Sequence, residues 1–245
     1  MINILRTVSL FIILQVTGGF AGGQDSLRSY KEETRGVRWH MQFKESLAGV
    51  EDEPSLPRVL LIGASNSIGY TLPARELLKG KANFHRIPMN GGPTTRGLKH
   101  LDQWLGTGKW DIIHFNWGGH DLKILEDGTH LVPIEQYEKN LRRLVERFEA
   151  TGALLIWAST TPVPEGKLKP PRKNEDVIAY NAAAERVMEE NGVLINDLYS
   201  VAFPRLSELQ LPQNVHFTRH GYKVLGEAVA SFIEHVLEKK RQSRK

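Results

Sequence analysis

One short segment sets the architecture of the chain: Val59-Leu60-Leu61-Ile62-Gly63-Ala64-Ser65-Asn66-Ser67-Ile68-Gly69. Its first four residues are all apolar, which is typical of a strand that is covered on both faces of a sheet. Small and polar residues follow at once, and they allow the tight backbone that a strand-to-helix turn needs. The segment therefore predicts a buried parallel strand that delivers a serine, Ser65, to a strand-to-helix turn.

Further apolar runs and helix-like segments continue this pattern along the chain. The other predicted strands cover residues 83–87, 112–117, 153–157 and 193–195, and the predicted helices cover 72–78, 95–105, 134–150, 176–190 and 221–240. Within 134–150, Leu141, Leu144, Val145 and Phe148 recur at helical spacing. The alternation of strands and helices predicts an α/β fold in which helices cover both faces of a parallel sheet of about five strands.

The N-terminal segment has a different character. A lone Arg6 precedes an apolar run from Val8 to Val16, and small residues follow at Gly19, Ala21 and Gly22. This order is typical of a signal peptide, and the run is shorter than the roughly 20 apolar residues of a membrane-spanning helix. A permanent anchor is the alternative, whereas a buried strand would leave Arg6 and the small residues without a role.

Three regions follow from these patterns. We expect residues 1–23 to be a signal peptide, so that the protein is exported to a periplasm or secreted. Residues 24–57 are polar and irregular, and we expect them to form an N-terminal arm that packs on the domain. Residues 58–245 are expected to form one domain.

The composition narrows the chemistry. The 245 residues include no cysteine, which excludes thiolate catalysis, disulfides and Cys-ligated metal sites. The hydrophobic fraction of 40% is enough for a substantial core. The net charge of +4 is mild, and the basic tail 239–245 suits a solvated helix end or, alternatively, an anionic polysaccharide or membrane surface. No motif indicates a nucleic-acid partner.

Polar and small residues follow most of the predicted strands. They lie at 63–69, 90–94, 116–121 and 159–162, and a further cluster at 214–218 precedes the last helix. Ligands of open parallel sheets bind beyond the carboxyl ends of the strands. We therefore expect one crevice that brings a nucleophile, Ser65, together with a histidine, His216. The long loop 162–173 is expected to border it.

Each of these residues also has a simpler interpretation. Ser65 alone suits a helix N-cap, and His216 alone suits an ordinary core position. Metal binding by His114, His120 and Asp121 is a further alternative, but their spacing matches no zinc motif. We expect no metal and no cofactor.

In their order along the chain, the clusters resemble the motif blocks of the SGNH/GDSL hydrolase family, from Arg58 to about Leu237. The first block of the family, Gly-Asp-Ser, resembles Gly63-Ala64-Ser65, and its second block resembles Asn90-Gly91-Gly92. Where the family usually has Gly-x-Asn-Asp, this chain has Gly118-Gly119-His120-Asp121. Where the family usually has Asp-x-x-His, it has Gln213-Asn214-Val215-His216. The resemblance implies a flavodoxin-like three-layer α/β/α sandwich. It also implies Ser65 as nucleophile, His216 as general base, and Gly92 and His120 as oxyanion donors.

Three positions depart from the family pattern. Ala64 replaces the aspartate beside the nucleophile. His120 replaces the asparagine, although a neutral imidazole can still donate one N–H. Gln213 replaces the aspartate that orients the base, and its amide oxygen can accept a hydrogen bond but carries no full charge. Other candidates for orienting or supporting His216 are Asn214, Asp121, Asp197 and a backbone carbonyl.

The resemblance implies hydrolysis of an ester without a cofactor. Export, a basic surface and the usual substrates of the family favour an acyl group, especially acetyl, on a carbohydrate. The expected partner is therefore a small-molecule or polysaccharide ester. A protein that binds carbohydrate or envelope ligands without turnover is the alternative, and acyl transfer or lipid or thioester hydrolysis is a third. Arg96, Trp117 and Tyr70 either line the substrate path or pack structurally.

Overall fold

Five parallel strands form the central sheet. The computed structural model describes residues 43–243, in which the strands are ordered β2-β1-β3-β4-β5. Their bounds are β1 Arg58–Ile62, β2 Asn83–Arg86, β3 Ile112–Phe115, β4 Leu154–Ala158 and β5 Leu194–Asn196. Every neighbouring pair is parallel, and Leu60 lies opposite His85 on one side and Ile113 on the other. This strand order is the flavodoxin-like one, so the predicted fold class is confirmed.

Helices follow the strands and form the two outer layers. Their bounds are α1 Lys44–Leu47, α2 Ser65–Leu77, α3 Thr94–Leu105, α4 Ile134–Glu149, α5 Asn174–Glu190, α6 Leu198–Ala202, α7 Leu206–Leu209 and α8 Arg219–Gln242, with a 3₁₀ turn at Phe203–Arg205. Helix α2 packs against α8, whereas α3 packs against α4 and α4 against α5. The short elements α1, α6, α7 and the 3₁₀ turn were not predicted from the sequence.

The sheet is buried on both faces. Leu60, Ile113 and Phe115 belong to one buried cluster with Leu141 and Phe148 of α4. Since successive side chains of a strand point to opposite faces, Val59 and Leu61 face the other layer, and both are fully buried. This double coverage is why β1, β3 and β4 are nearly continuous in apolar residues.

The start of α2 differs from the sequence prediction. The helix begins at Ser65 rather than at residue 72. Polar residues and Gly69 conceal its helical periodicity, because Gly69 is used for close packing instead of apolar burial. A Cβ at Gly69 would lie 2.2 Å from the ring of Tyr222 in α8. The two helices therefore approach closely at Gly69, one turn after Ser65.

The described part of the predicted N-terminal arm, residues 43–57, contacts the sheet edge. The Glu53 N–H donates to Asn83 Oδ1 at 2.9 Å, and Asp52 pairs with Arg58 at 2.9 Å. The predicted signal peptide and residues 24–42 of the arm lie outside the described residues. Between 43 and 243, no helix has the length and apolar character needed to cross a bilayer.

Candidate active site

The carboxyl ends of β1, β3 and β4 border one cavity of about 50 Å³. Its walls are formed by residues 64–67, 70, 92, 116–120, 159–163, 172, 198 and 215. All the predicted polar clusters contribute, and the loop 162–173 contributes Pro162, Val163 and Arg172. The clusters come together because the carboxyl ends of parallel strands lie along one edge of the sheet.

Ser65 is the first residue of α2 and follows β1 after two residues. The N-cap of this helix is Ala64, so the Ser65 hydroxyl does not serve as the cap. Instead, Ser65 Oγ lies 2.8 Å from Nε2 of His216, which is 151 positions further along the chain. The structure thus brings the two predicted catalytic residues into direct hydrogen-bond contact.

Asn214 fixes the tautomer of His216. The backbone N–H of His216 donates to Asn214 Oδ1 at 3.0 Å, which sets the amide orientation because an N–H requires an acceptor. The same Oδ1 lies 2.8 Å from Nδ1 of His216, so Nδ1 carries the ring proton. The lone pair of Nε2 consequently faces Ser65, where it can accept the hydroxyl proton.

The surroundings of His216 keep its ring neutral. Burial lowers its pKa to about 4, and the positive charge of Arg172 acts in the same direction. At neutral pH the ring is therefore free to accept a proton. The imidazolium that forms is poorly stabilised, because the group at Nδ1 is an amide and not a carboxylate.

The orienting contact comes from Asn214 and not from Gln213. The Gln213 backbone has a φ of 49°, and its side chain lies against Gly166, where an added Cβ would be 3.3 Å from Gln213 Cγ. Asp197 is used elsewhere, since its Oδ1 accepts from Ser159 Oγ at 2.8 Å. The partner of the histidine thus stands two residues before it, whereas the family pattern places it three before.

Three groups are candidates for holding an oxyanion. The backbone N–H of Ser65 opens α2 and has no acceptor within the helix. Gly92, at a φ of 59°, lines the cavity, yet its N–H donates to Asn90 Oδ1 at 2.9 Å. His120 also lines the cavity, and burial followed by nearby cationic side chains lowers its pKa well below the usual value. Its neutral ring retains one N–H to donate.

Asp121 joins two of the segments that border the cavity. Its Oδ1 accepts from the Thr94 backbone N–H at 2.8 Å and from the Thr94 hydroxyl, and its Oδ2 accepts from the Gly118 N–H at 3.2 Å. Burial raises the pKa of this carboxyl to about 6. Asp121 therefore ties the start of α3, just after Gly92, to the turn that carries His120.

The remaining candidates are buried or lie against the backbone. Trp117 and Tyr70 border the cavity but are almost fully buried, and the Arg96 side chain lies along the backbone at Gly92. His114 is buried, with Nε2 3.2 Å from Asn196 Nδ2. Residues 43–243 contain no group of three or more His, Cys, Asp or Glu side chains that could hold a metal.

Sequence reasoning missed two residues of the site. Arg172 lies in the loop 162–173, and its Nε donates to the Gly119 carbonyl at 2.8 Å. Arg86 lies at the end of β2 and is buried behind the Ser65 turn. The signal for Arg86 in the sequence was its position: it is a charged residue directly before Ile87 in an otherwise strand-like run.

The fold and the position of the site define a class: flavodoxin-like α/β/α proteins with a ligand site at the carboxyl edge of the sheet. Within this class, the chain belongs to the GDSL-like lipase/acylhydrolase family, which matches residues 71–224. The match begins after Ser65, so it rests on the later three blocks. Membership of this family makes the chain an ester-hydrolysing enzyme, as predicted.

Solved structures of SGNH hydrolases share the fold. The acetyl xylan esterase AlAXEase has 14% identity over 72% of this chain and 99% of its own, with a TM-score of 0.62. The lipase/acylhydrolase from Enterococcus faecalis has 20% identity over 73% of this chain and 96% of its own, with a TM-score of 0.62. An acetylxylan esterase from Geobacillus stearothermophilus has 18% identity over 71% and 93%, also with a TM-score of 0.62. A search of curated proteins found no match.

Proposed function

We propose that the protein is an exported serine esterase that removes a small O-acyl group, above all acetyl, from a carbohydrate. The observation that carries the proposal is the 2.8 Å contact between Ser65 Oγ and His216 Nε2. Asn214 holds the far nitrogen of the same ring, so the tautomer suits proton transfer from the serine.

The reaction follows from this geometry. Ser65 Oγ attacks the acyl carbon while His216 Nε2 takes the hydroxyl proton. The oxyanion of the tetrahedral intermediate receives hydrogen bonds from the Ser65 N–H, the Gly92 N–H and the His120 ring. As the bond to the alcohol breaks, His216 returns the proton to the leaving oxygen. Water, deprotonated by the same ring, then adds to the acyl-serine. The bond to Ser65 Oγ breaks as His216 returns the proton to that oxygen, and the acid is released.

Gly92 enters this reaction only if its N–H changes acceptor. In the free protein the group donates to Asn90 Oδ1, so the oxyanion must displace or share that contact. A charged oxygen is the stronger acceptor, since hydrogen bonds to ionised groups are about twice as strong as neutral ones. The exchange therefore favours the transition state over the neutral ester.

The size of the cavity supports a short acyl group. One water needs roughly 10–15 Å³ of cavity space measured with a water-sized sphere. A cavity of about 50 Å³ thus holds only a few heavy atoms, which favours a short acyl group such as acetyl over a fatty acyl chain.

Two indirect observations support a carbohydrate and export. Two of the solved structures with this fold are described as acetyl xylan esterases, and the net charge of +4 favours an anionic polysaccharide over a cationic surface. The order of residues in 1–23 is typical of a signal peptide. Fractionation of cells followed by N-terminal sequencing of the mature protein tests export.

Labelling with a fluorophosphonate tests the nucleophile. We expect a single adduct at Ser65, mapped by mass spectrometry, which Ser65→Ala abolishes and His216→Ala strongly slows. Ser200→Ala is the matched control, because Ser200 lies on α6 and its backbone N–H donates to Asp197. Absence of an adduct on folded protein, beside a labelled reference hydrolase, would overturn the assignment of Ser65.

A substrate series tests the acyl group and the alcohol. Among p-nitrophenyl esters, kcat/KM should fall steeply from acetate to octanoate, since the small cavity favours the short chain. Release of acetate from acetylated xylan tests the carbohydrate. A preference for octanoate would contradict the assignment of acetyl as the acyl group. Activity on aryl acetates alone would contradict the assignment of a carbohydrate as the alcohol.

A further inference from the structure

Arg86 is a buried cation directly behind the Ser65 turn. It lies at the end of β2 and is 7% exposed. No carboxylate of residues 43–243 forms an ion pair with it, since all its hydrogen bonds go to carbonyl and hydroxyl oxygens. Burial lowers its pKa to about 9, so the guanidinium is still charged at neutral pH. An uncompensated buried charge is costly for a fold to keep.

The guanidinium joins the two loops that carry the candidate oxyanion donors. Its Nη1 donates to the carbonyls of Ile87 at 2.7 Å and Met89 at 2.8 Å, just before Asn90-Gly91-Gly92. Its Nη2 donates to the carbonyl of Gly63 at 2.9 Å, just before Ser65. The Gly91 N–H also donates to the Gly63 carbonyl at 3.0 Å, so both loops are tied at the same point.

A relay leads from Arg86 to the peptide unit of Ser65. Arg86 Nη2 donates to Ser67 Oγ at 2.9 Å, and Ser67 Oγ donates to the Ala64 carbonyl at 2.6 Å. That carbonyl and the Ser65 N–H belong to one peptide unit. Hydrogen bonds in a chain polarise one another, so donation to the carbonyl makes the Ser65 N–H a stronger donor.

We propose that Arg86, acting through Ser67, is a positioning residue that sets the geometry and polarity of the oxyanion hole. Negative charge that develops on the oxyanion compensates a cation that no carboxylate of residues 43–243 pairs in the free protein. The interaction is therefore stronger in the transition state than in the ground state, which is the condition for raising kcat. This inference rests on the proposed function of Ser65.

Arginine suits this place better than lysine. The contacts of Arg86 need two terminal nitrogens that reach oxygens of two loops at once, and the planar fork of a guanidinium supplies them. A lysine at 86 has one terminal nitrogen with three donors and can serve only one of the loops. Arg86→Lys thus keeps the charge but loses the contacts with one of the two loops. Ser67→Ala keeps the contacts of Arg86 with both loops and removes the relay through the hydroxyl, leaving only the longer direct contact of 3.4 Å between Arg86 Nη2 and the Ala64 carbonyl.

The test compares these variants with matched controls on the same elements. Arg75→Lys alters a guanidinium of α2 that donates to the carbonyls of Phe84 and Glu45, away from the cavity. Thr71→Val removes a buried hydroxyl of α2 that donates to the Ser67 carbonyl. Both controls should retain the kcat of the wild type for p-nitrophenyl acetate.

We expect Ser67→Ala to lower kcat about tenfold and Arg86→Lys about tenfold to a hundredfold, each with KM within twofold of the wild type. Affinity for an aryl trifluoromethyl ketone, which forms a tetrahedral adduct with a serine, should fall by the same factor. Affinity for the matching methyl ketone should stay unchanged. A purely structural role would instead lower the melting temperature and leave the ratio of the two ketone affinities as in the wild type.

Two outcomes separate the proposals. If folded Ser67→Ala and Arg86→Lys proteins keep kcat within twofold of the wild type, or lose affinity for both ketones equally, the role of Arg86 is overturned while Ser65 labelling stands. If the wild type itself is not labelled at Ser65, the proposed function fails, and with it the oxyanion role on which this inference rests.

Discussion

Asn214 Oδ1 accepts two hydrogen bonds from His216, one from its backbone N–H at 3.0 Å and one from ring Nδ1 at 2.8 Å. A neutral amide thus holds the ring in the tautomer that a catalytic base requires. In serine proteases, an acid-to-amide change at the third triad position costs about 10⁴ in kcat, in part because the ring adopts the wrong tautomer. Asn214 avoids the part of the loss that comes from the tautomer, but it lacks the negative charge of a carboxylate.

Asn214→Asp should therefore increase activity. A carboxylate at the same position stabilises the imidazolium, so we expect kcat/KM at pH 7 to rise about tenfold, which corresponds to ~1.4 kcal/mol. Gln213→Asp places the carboxylate at the family's position. Because the side chain at this position lies against Gly166, we expect this variant to leave kcat/KM unchanged. A gain in Gln213→Asp without one in Asn214→Asp would contradict the geometry.

The pH profile should reveal the depressed pKa of His216. Because the neutral ring is the active form and its pKa is about 4, kcat/KM should fall only as the pH drops toward 4. At pH 5 about nine tenths of the rings are neutral, whereas an unperturbed histidine of pKa ~6.5 would be almost entirely charged. In Asn214→Asp the acid limb should move to higher pH, because the carboxylate favours the charged ring. An acid limb near 6.5 in the wild type would contradict this environment.

The sequence predicted the sheet and the site positions but not the contacts between them. Near-continuous apolar runs such as Val59 to Ile62, bounded by turn residues, favour buried strands, because burial on both faces requires apolar side chains at successive positions. The pairing of His216 with Asn214 depends on a turn in which Gln213 has a positive φ, and no periodicity reports that. The packing of α2 likewise involves the contact between Gly69 and Tyr222, which joins residues far apart in the chain.

His120 should contribute to kcat through its ring N–H. His120→Ala removes a candidate oxyanion donor, for which a loss of about 10²-fold in kcat with little change in KM is expected. His120→Asn restores an N–H donor of the type that the family carries and should recover most of the rate. His220→Ala is the matched control, because His220 is exposed and pairs with Glu208. Equal losses in His120→Ala and His120→Asn would show that the ring does not act as a hydrogen-bond donor.

His114 should make the fold sensitive to acid independently of catalysis. Burial lowers its pKa to about 3, whereas the unfolded chain has a value near 6.5. Between these values the unfolded state binds the extra proton, so the free energy of unfolding should fall as the pH is lowered from about 6.5 toward 3. His114 alone should account for about 2–3 kcal/mol between pH 6 and pH 4. His114→Gln keeps an acceptor for Asn196 Nδ2 and removes the titration, so its loss of stability over this range should be smaller by that amount.

Urea denaturation of both proteins at the two pH values measures the difference, and the contributions of His216 and Asp121 cancel because both proteins contain them. Parallel pH dependences in the two proteins would mean that His114 is not buried as a neutral ring.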